Sequence, residues 1–364
     1  MPFIPPLTKD DGTHTSSPAD QAQVLFDALL RGEQTSEESN FQGRMPAHHS
    51  VWDDSFPEIT SQEVYRAISK LKVGKAAGPD GIPVLALKEF WTVISKPLTE
   101  LAKASLRYGY FPDCFKTAVC IVIPKPHKKS YKDAKSYRPI ALLNHISKAI
   151  EVIVTNRLQY EMDTRKLIPA RHFGCRKGTG TDDALLYVTE FIRNSWHRKE
   201  VVAALALDAQ GAFNNVVHEV LLDDCRKARI PEYLVRWIGS FLEDRKVSFR
   251  LSNFSSQTFR LTQGSPQGSP ISGPLYLIYN AALLRRWDEG NTLASQITKV
   301  GYADDVIWLA AAKSADRARG ALERELPSAN EWSSTHRTPL DLAKTQYILF
   351  APARSDKYDE VPLR

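Results

Sequence analysis

Three aspartates set the chemistry open to this chain. Asp208 closes the apolar run Val201–Leu207, and Asp304-Asp305 stand between the apolar stretches Ile297–Tyr302 and Val306–Leu309. Carboxylates are hard oxygen donors suited to Mg²⁺. Three gathered in one place can bridge two such ions roughly 3.5–4 Å apart, the arrangement that nucleotidyl transfer requires. One ion would activate an attacking hydroxyl, and the other would hold a triphosphate and stabilise the departing pyrophosphate. Each acid taken alone has a plainer reading, because Asp commonly ends a strand and Asp-Asp suits a hairpin turn. The elements that carry them must decide.

A continuous apolar run such as Val201–Leu207 predicts a strand buried on both faces. Ile271–Trp287 reads as helix, Ile297–Tyr302 with Val306–Leu309 as a hairpin, Ser314–Trp332 as helix and Thr345–Phe350 as a last strand. With residues 217–262 set aside as helices and a hairpin (Val247–Leu251, Thr258–Leu261), the order is β-α-β-β-α-β, the split-βαβ plan of a ferredoxin-like sheet. A right-handed crossover makes strands 201–207 and 297–302 parallel, with 306–309 returning antiparallel between them. Asp208 and the Asp304-Asp305 turn then share one sheet edge, on strands ~4.8 Å apart.

Upstream, residues 1–50 are polar, with one helix-like patch at Ala22–Leu30, and predict a mostly disordered tail. Order is expected from Pro57. Thr60-Ser-Gln-Glu63 forms a capping box, after which Val64, Ile68 and Leu71 share a helical face. Gly74, Gly78, Pro79 and Gly81 make a loop, and further helix runs to about Arg107, interrupted or restarted at Pro97, which suits a first helical position. Thr117–Ile123 and Arg138–Leu143 read as extended pieces around a basic loop. Helix follows to about Tyr160, and Thr181 caps another to about Arg198.

The 364 residues allow one large domain or two modest ones. The apolar runs Ala118–Ile123 and Val201–Leu207 are too short to span a bilayer, and the N-terminus lacks the regions of a secretory signal. An intracellular protein is expected. Cys114, Cys120, Cys175 and Cys225 are scattered without a CxxC pair, which predicts four reduced, mostly buried thiols rather than a zinc site or disulfides. The net charge of +6 divides into −7 over residues 1–60 and +13 beyond. Lys116, Lys125, Lys128, Lys129, Lys132, Lys135 and Arg138 surround the single acid Asp133, and Arg165, Lys166, Arg171, Arg176 and Lys177 form a second cluster. Such runs are often solvated surface, so they favour a nucleic-acid partner only mildly.

Leu207-Asp-Ala-Gln-Gly-Ala-Phe-Asn-Asn-Val216, Gly264-Ser-Pro-Gln-Gly-Ser-Pro-Ile-Ser272 and Tyr302-Ala-Asp-Asp305 resemble the palm motifs of reverse transcriptases. Gly78-Pro-Asp-Gly-Ile82 and Tyr137-Arg-Pro-Ile-Ala-Leu-Leu-Asn144 look like those of non-LTR (LINE-type) retrotransposons. The run from Trp332 to Lys344-Thr345 is similar to fungal Tad-like elements. The resemblance covers roughly residues 57–350. It implies an α+β right-hand polymerase fold: a ferredoxin-like palm at about 201–216 and 263–352, and mostly helical fingers at about 57–200 plus an insertion at 217–262.

Residue by residue, the resemblance implies that Asp208, Asp304 and Asp305 are metal ligands, with the Ala209 carbonyl a further oxygen. Phe213 stands where an aromatic gate would clash with a ribose 2′-hydroxyl; viral RNA-dependent RNA polymerases usually carry Asp there. Gln267 and Gly268 match the loop beside the incoming nucleotide, and Tyr302 belongs to the same substrate-binding set. Lys125 and Arg138 match triphosphate-clamping residues, and Lys344 matches a lysine proposed to protonate leaving pyrophosphate. Without the motifs, Phe213 would read as a core aromatic, residues 264–272 as a Pro/Gly turn, and the three cations as surface or loop residues. Family members often have Asp where this chain has Asn214, which is not a ligand position.

These readings imply an RNA-directed DNA polymerase core that uses two Mg²⁺ ions, with Mn²⁺ as a substitute. Its partners would be an RNA template, a DNA primer and dNTPs, with no membrane and no obligate protein partner. Too little chain follows residue 350 for a helical thumb, so a thumb absent or vestigial is expected. That favours, as the competing reading, an inactive truncated remnant that at most binds nucleic acid; an intron-encoded maturase is the third reading. By analogy the location would be nuclear, with the mitochondrion left open.

Overall fold

A computed structural model describes residues 4–31, 57–285 and 297–352. In chain order the elements are α1 (Pro18–Leu29), α2 (Ser61–Lys70), α3 (Val84–Glu89), α4 (Trp91–Arg107), β1 (Thr117–Pro124), β2 (Tyr137–Leu142) and α5 (His145–Thr164). There follow α6 (Thr181–His197), β3 (Val201–Leu207), α7 (His218–Lys227), α8 (Glu232–Leu242), β4 (Lys246–Leu251) and β5 (Phe254–Arg260). The last are α9 (Ser272–Leu284), β6 (Ile297–Tyr302), β7 (Asp305–Ala312), α10 (Ala315–Thr335) and β8 (Gln346–Phe350). The chain divides into two units, residues 1–157 with 229–271 and residues 158–228 with 272–364. That division assigns α6 and α7 to the unit of β3, and residues 263–271 to the unit of β1, where the sequence-based partition places each on the other side.

In the first unit the sheet order is β2-β1-β4-β5. β1 pairs antiparallel with β2 and parallel with β4, so two strands far apart in sequence become neighbours. Helix α1 packs on this sheet. Leu7, Ala22 and Leu25, all 0% exposed, join Val247, Phe249 and Phe259 in one core, and the Phe26 ring stacks on Phe259 at 4.4 Å between centroids. A mostly disordered tail is therefore corrected for residues 4–31; the rest of that reading, 1–3 and 32–50, lies outside the described residues. A few apolar side chains that find a partner strand are enough to order a segment whose average composition is polar.

Helices α2, α3, α4 and α8, with α5 as far as Arg157, supply the remainder of this unit. Thr60 caps α2, its hydroxyl accepting from the Glu63 amide. Pro97 is not a helix start but lies within α4. The carbonyl it deprives of a donor belongs to Val93, which is 73% exposed and open to water.

In the second unit the order is β6-β7-β3-β8, with every neighbouring pair antiparallel. β3 and β6 therefore run parallel on either side of β7, as the split-βαβ reading requires. Val202 and Ala204 of β3 join Ile192 of α6 in one core, while the alternate residues Ala203 and Leu205 are equally buried beneath the opposite face, where α10 packs. Helix α6 begins one residue earlier than the capping prediction, which makes Thr181 the cap rather than the first helical residue. Gly180 is the N-cap, and the Asp183 carboxylate accepts from its amide at 2.7 Å. Helix α9 is buried on nearly every side, as an all-round apolar helix must be; the end of its predicted span, 286–287, lies outside the described residues. Among the described residues no helix is long and apolar enough to cross a membrane.

The thiols split evenly rather than being mostly buried. Cys120 and Cys225 are buried and burial pushes both up to about 12, whereas Cys114 and Cys175 are exposed. Only a thiolate reacts readily. A disulfide reagent at neutral pH should modify Cys114 first, then Cys175, whose thiol is also raised by its partial burial, and the other two only after unfolding. Four thiols reacting at one rate in the native protein would contradict this.

Candidate active site

The register of the second sheet places the three acids together. Leu207 pairs with Val306, and Tyr302 pairs with Asp305 across a two-residue turn made of Ala303 and Asp304. Asp208, one residue past Leu207, therefore stands beside the start of β7. The electrostatics agree. Burial raises the Asp305 carboxyl above its ordinary range, and the Asp304 and Asp208 charges raise it further. The Tyr276 hydroxyl, buried under the same edge, is raised by burial and by all three carboxylates.

A loop after α10 clamps Asp208 from the other side. The amide of Gln210 donates to Pro339, the amide of Asp341 donates to the Asp208 carbonyl at 2.8 Å, and Ala209 bridges to Leu340. The same loop returns Lys344, whose ammonium donates to Asp208 Oδ2 at 2.7 Å and lies 2.7 Å from Asp341 Oδ2. Both carboxylates raise the Lys344 pKa, Asp208 foremost, so the side chain stays a charged donor.

Two groups on which the motifs are silent hold the turn. Ala303 adopts φ +56°, a left-handed conformation uncommon outside glycine. Its carbonyl accepts from Asn280 Nδ2 at 3.0 Å. Gly174 lies against its backbone so closely that an added Cβ would overlap the Ala303 nitrogen and stand 2.7 Å from the Tyr302 carbonyl carbon. The segment around Gly174 is itself pinned to β6, the Gly301 amide donating to Arg171 and the Phe173 amide donating to Gly301. Asn280 had a readable signal, a lone amide inside an apolar helix. Gly174 had none, because a close approach of two backbones leaves no local pattern.

Phe213 is half-buried, its ring 4.9 Å from that of Tyr276, and Tyr302 is half-buried at the end of β6. Lys125, Arg138, Gln267 and Gly268 belong to the first unit. Arg138 is exposed and pairs with Ile123, and Lys125 follows two residues later with its ammonium donating to the Lys135 carbonyl at 2.9 Å. The Gln267 carbonyl accepts from the Ala141 amide at 2.9 Å. Gly268, at φ +124°, comes so near the Ala141 carbonyl oxygen that a Cβ would stand 2.8 Å from it. The structure thus brings these four to β2 and the end of β1 beside it, and gathers Asp208, Ala209, Phe213, Tyr302, Asp304, Asp305 and Lys344 at the edge of the other sheet.

Among the described residues no three His, Cys, Asp or Glu side chains converge as a finished metal cage, and Asp208 is engaged with Lys344. The donor set nevertheless fits divalent cations. Three hard oxygen groups share one edge, and the Asp304 and Asp208 charges raise the Asp305 carboxyl, a repulsion that a cation between them would relieve.

The family model described as reverse transcriptase (RNA-dependent DNA polymerase) matches residues 123–361. The chain belongs to this family. Among curated relatives, the RNA-directed DNA polymerase from mobile element jockey of Drosophila funebris is 30% identical over 82% of this chain and 32% of its own length. The probable RNA-directed DNA polymerase from transposon BS of Drosophila melanogaster is 31% identical over 75% and 30%. This reverse transcriptase chain thus spans about a third of the length of the relatives it matches, and it groups with those of non-LTR elements. A solved apo telomerase from Candida tropicalis, truncated from its C-terminal domain, has a TM-score of 0.51 at 14% identity over 68% of this chain and 53% of its own. That likeness bears out the mixed α/β right-hand polymerase fold.

Proposed function

We propose that this chain is the catalytic core of a retrotransposon RNA-directed DNA polymerase, extending a DNA primer on an RNA template by two-metal nucleotidyl transfer. The observation that carries the reading is the sheet register that sets Asp208 beside the Asp304-Asp305 turn, with Lys344 on the same carboxylate. Asp208, Asp304 and Asp305 would hold two Mg²⁺ ions, with the Ala209 carbonyl available as a further oxygen and Mn²⁺ a substitute. The ions supply Lewis-acid stabilisation of the phosphates and activation of the 3′-hydroxyl. Lys344, held protonated, offers a proton to the departing pyrophosphate. Lys125 and Arg138 bind the triphosphate, Tyr302 contributes to the substrate site, and Gln267 with Gly268 lies beside the new base pair. In this reading the second sheet with its helices is the palm and the first unit supplies the fingers. The basic clusters bind template and primer through phosphates, which makes affinity fall with salt. The resemblance of the run from Trp332 to Lys344-Thr345 supports reading the element as Tad-like, and by analogy with retroelement enzymes its place of action is nuclear DNA.

The test is extension of a DNA primer on an RNA template in Mg²⁺, with the full chain. A chain that binds template–primer but extends nothing in either Mg²⁺ or Mn²⁺ would be an inactive remnant, and the proposal would fall.

Phe213 supports selection of deoxynucleotides. Phe213→Val should raise ribonucleotide incorporation relative to deoxynucleotide by roughly tenfold or more, since the rejecting contact is steric. The ratio of kcat/KM for the matched pair measures it, and an unchanged ratio would remove Phe213 from the gate.

A further inference from the structure

The first unit buries two opposite charges that the chemistry above leaves unused. Glu151 on α5 is 0% exposed and Arg245 is 2% exposed. Burial drives each toward its neutral form, raising the Glu151 carboxyl and taking Arg245 down to about 10, and each charge opposes the shift of the other. Arg245 is anchored independently. It donates to the Phe241 carbonyl at 3.0 Å, and its guanidinium centre lies 4.7 Å from the centre of the Phe241 ring.

A buried pair of this kind adds little stability over apolar residues of the same volume, so its use has to be sought in the geometry it imposes. That geometry is specific. Glu151 Oε1 accepts from Ser147 Oγ at 3.1 Å, one turn back along α5, while Oε2 accepts from Ser269 Oγ. Ser269 lies immediately after Gln267-Gly268, and its amide donates to Pro266 while its hydroxyl accepts from the Ile271 amide at 3.3 Å. The other side of the loop rests on β2 through the Ala141 amide and the close approach at Gly268. The loop is therefore held from two sides, by the backbone of β2 and by one buried carboxylate.

We propose that Glu151, acting through Ser269, is a positioning residue that fixes the Gln267-Gly268 loop at the height needed to receive the incoming nucleotide. The inference rests on the polymerase reading for its functional consequence and on the hydrogen-bond geometry for its structural one. Its signature is an effect on nucleotide binding rather than on the bond-making step.

Ser269→Ala tests it in the full chain, because it deletes the hydroxyl that reaches Glu151 and leaves Arg245 and Ser147 in place. The expected result is a dNTP KM raised on the order of tenfold with kcat within about twofold. Ser269→Thr, which keeps the hydroxyl, should restore the wild-type KM. Amide hydrogen exchange over residues 264–271 should accelerate in Ser269→Ala and stay slow along α5. Unchanged exchange over 264–271 overturns the inference whether or not the chain polymerises, and so does a kcat loss accompanied by a general loss of stability. A wild-type chain that extends no primer would refute the polymerase reading instead, and the exchange result would still decide the positioning role.

Discussion

Asp304→Asn is expected to lower primer extension by roughly three orders of magnitude or more while leaving the protein folded. Asn keeps the shape and the turn but removes the charge that a divalent cation needs from this position. The fold should not suffer, and the sign follows from the acids themselves. Asp305 has its carboxyl raised by burial and by the Asp304 and Asp208 charges. A carboxyl whose folded pKa exceeds its unfolded value holds more protons when folded, so stability declines as pH rises through that window and the whole penalty is present at neutral pH. Removing one of the repelling charges should leave the thermal midpoint at pH 7 equal or higher. The gain over wild type should shrink as the pH is taken down into the carboxylate range. Single-nucleotide extension kinetics and melting curves at several pH values measure the two halves. Extension at the wild-type rate would take Asp304 out of the site, and a melting point several degrees lower would make its role structural.

Gly174→Ala should have the second largest effect, and through a different route. The added methyl would overlap the Ala303 backbone nitrogen and crowd the Tyr302 carbonyl carbon, both parts of the turn that carries Asp304. Backbone cannot rotate away as a side chain can, so either the turn or the 171–174 segment must move. Such overpacking costs about 1–3 kcal/mol or more. Because the turn is also tied to Asn280, the displacement falls on the residues that hold the carboxylates, and activity should drop by at least about 100-fold even at temperatures where the variant is folded. Gly180→Ala is the matched control. It sits at the start of α6 with an ordinary negative φ, and an added Cβ would come no nearer than 3.9 Å to Asp183. That change should cost under about 1 kcal/mol and leave extension near wild type. Equal effects for the two glycines would mean that the contact at Ala303 is not what fixes the turn.

Much of the catalytic edge was legible from residues alone. The buried strand ahead of Asp208, the hairpin with its two acids and the crossover rule together predict the order β6-β7-β3, because apolar periodicity and the handedness of a parallel connection are local properties of the chain. The motif residues Gln267 and Gly268 could likewise be named in advance, and Gly268 does lie where a Cβ would strike a neighbouring carbonyl.

What stayed hidden are contacts between segments that share no pattern. The parallel pairing of β1 with β4, the seat of α1 on Phe259, Gly174 against Ala303 and Lys344 on Asp208 each join positions far apart in the chain. A polar average conceals the few apolar side chains that order residues 4–31, and a lone buried Glu151 looks like any helical glutamate until Ser269 is folded against it. Local propensity reports what one segment prefers, whereas these features depend on which surfaces meet, and that is settled only when burial brings distant parts of the chain into contact.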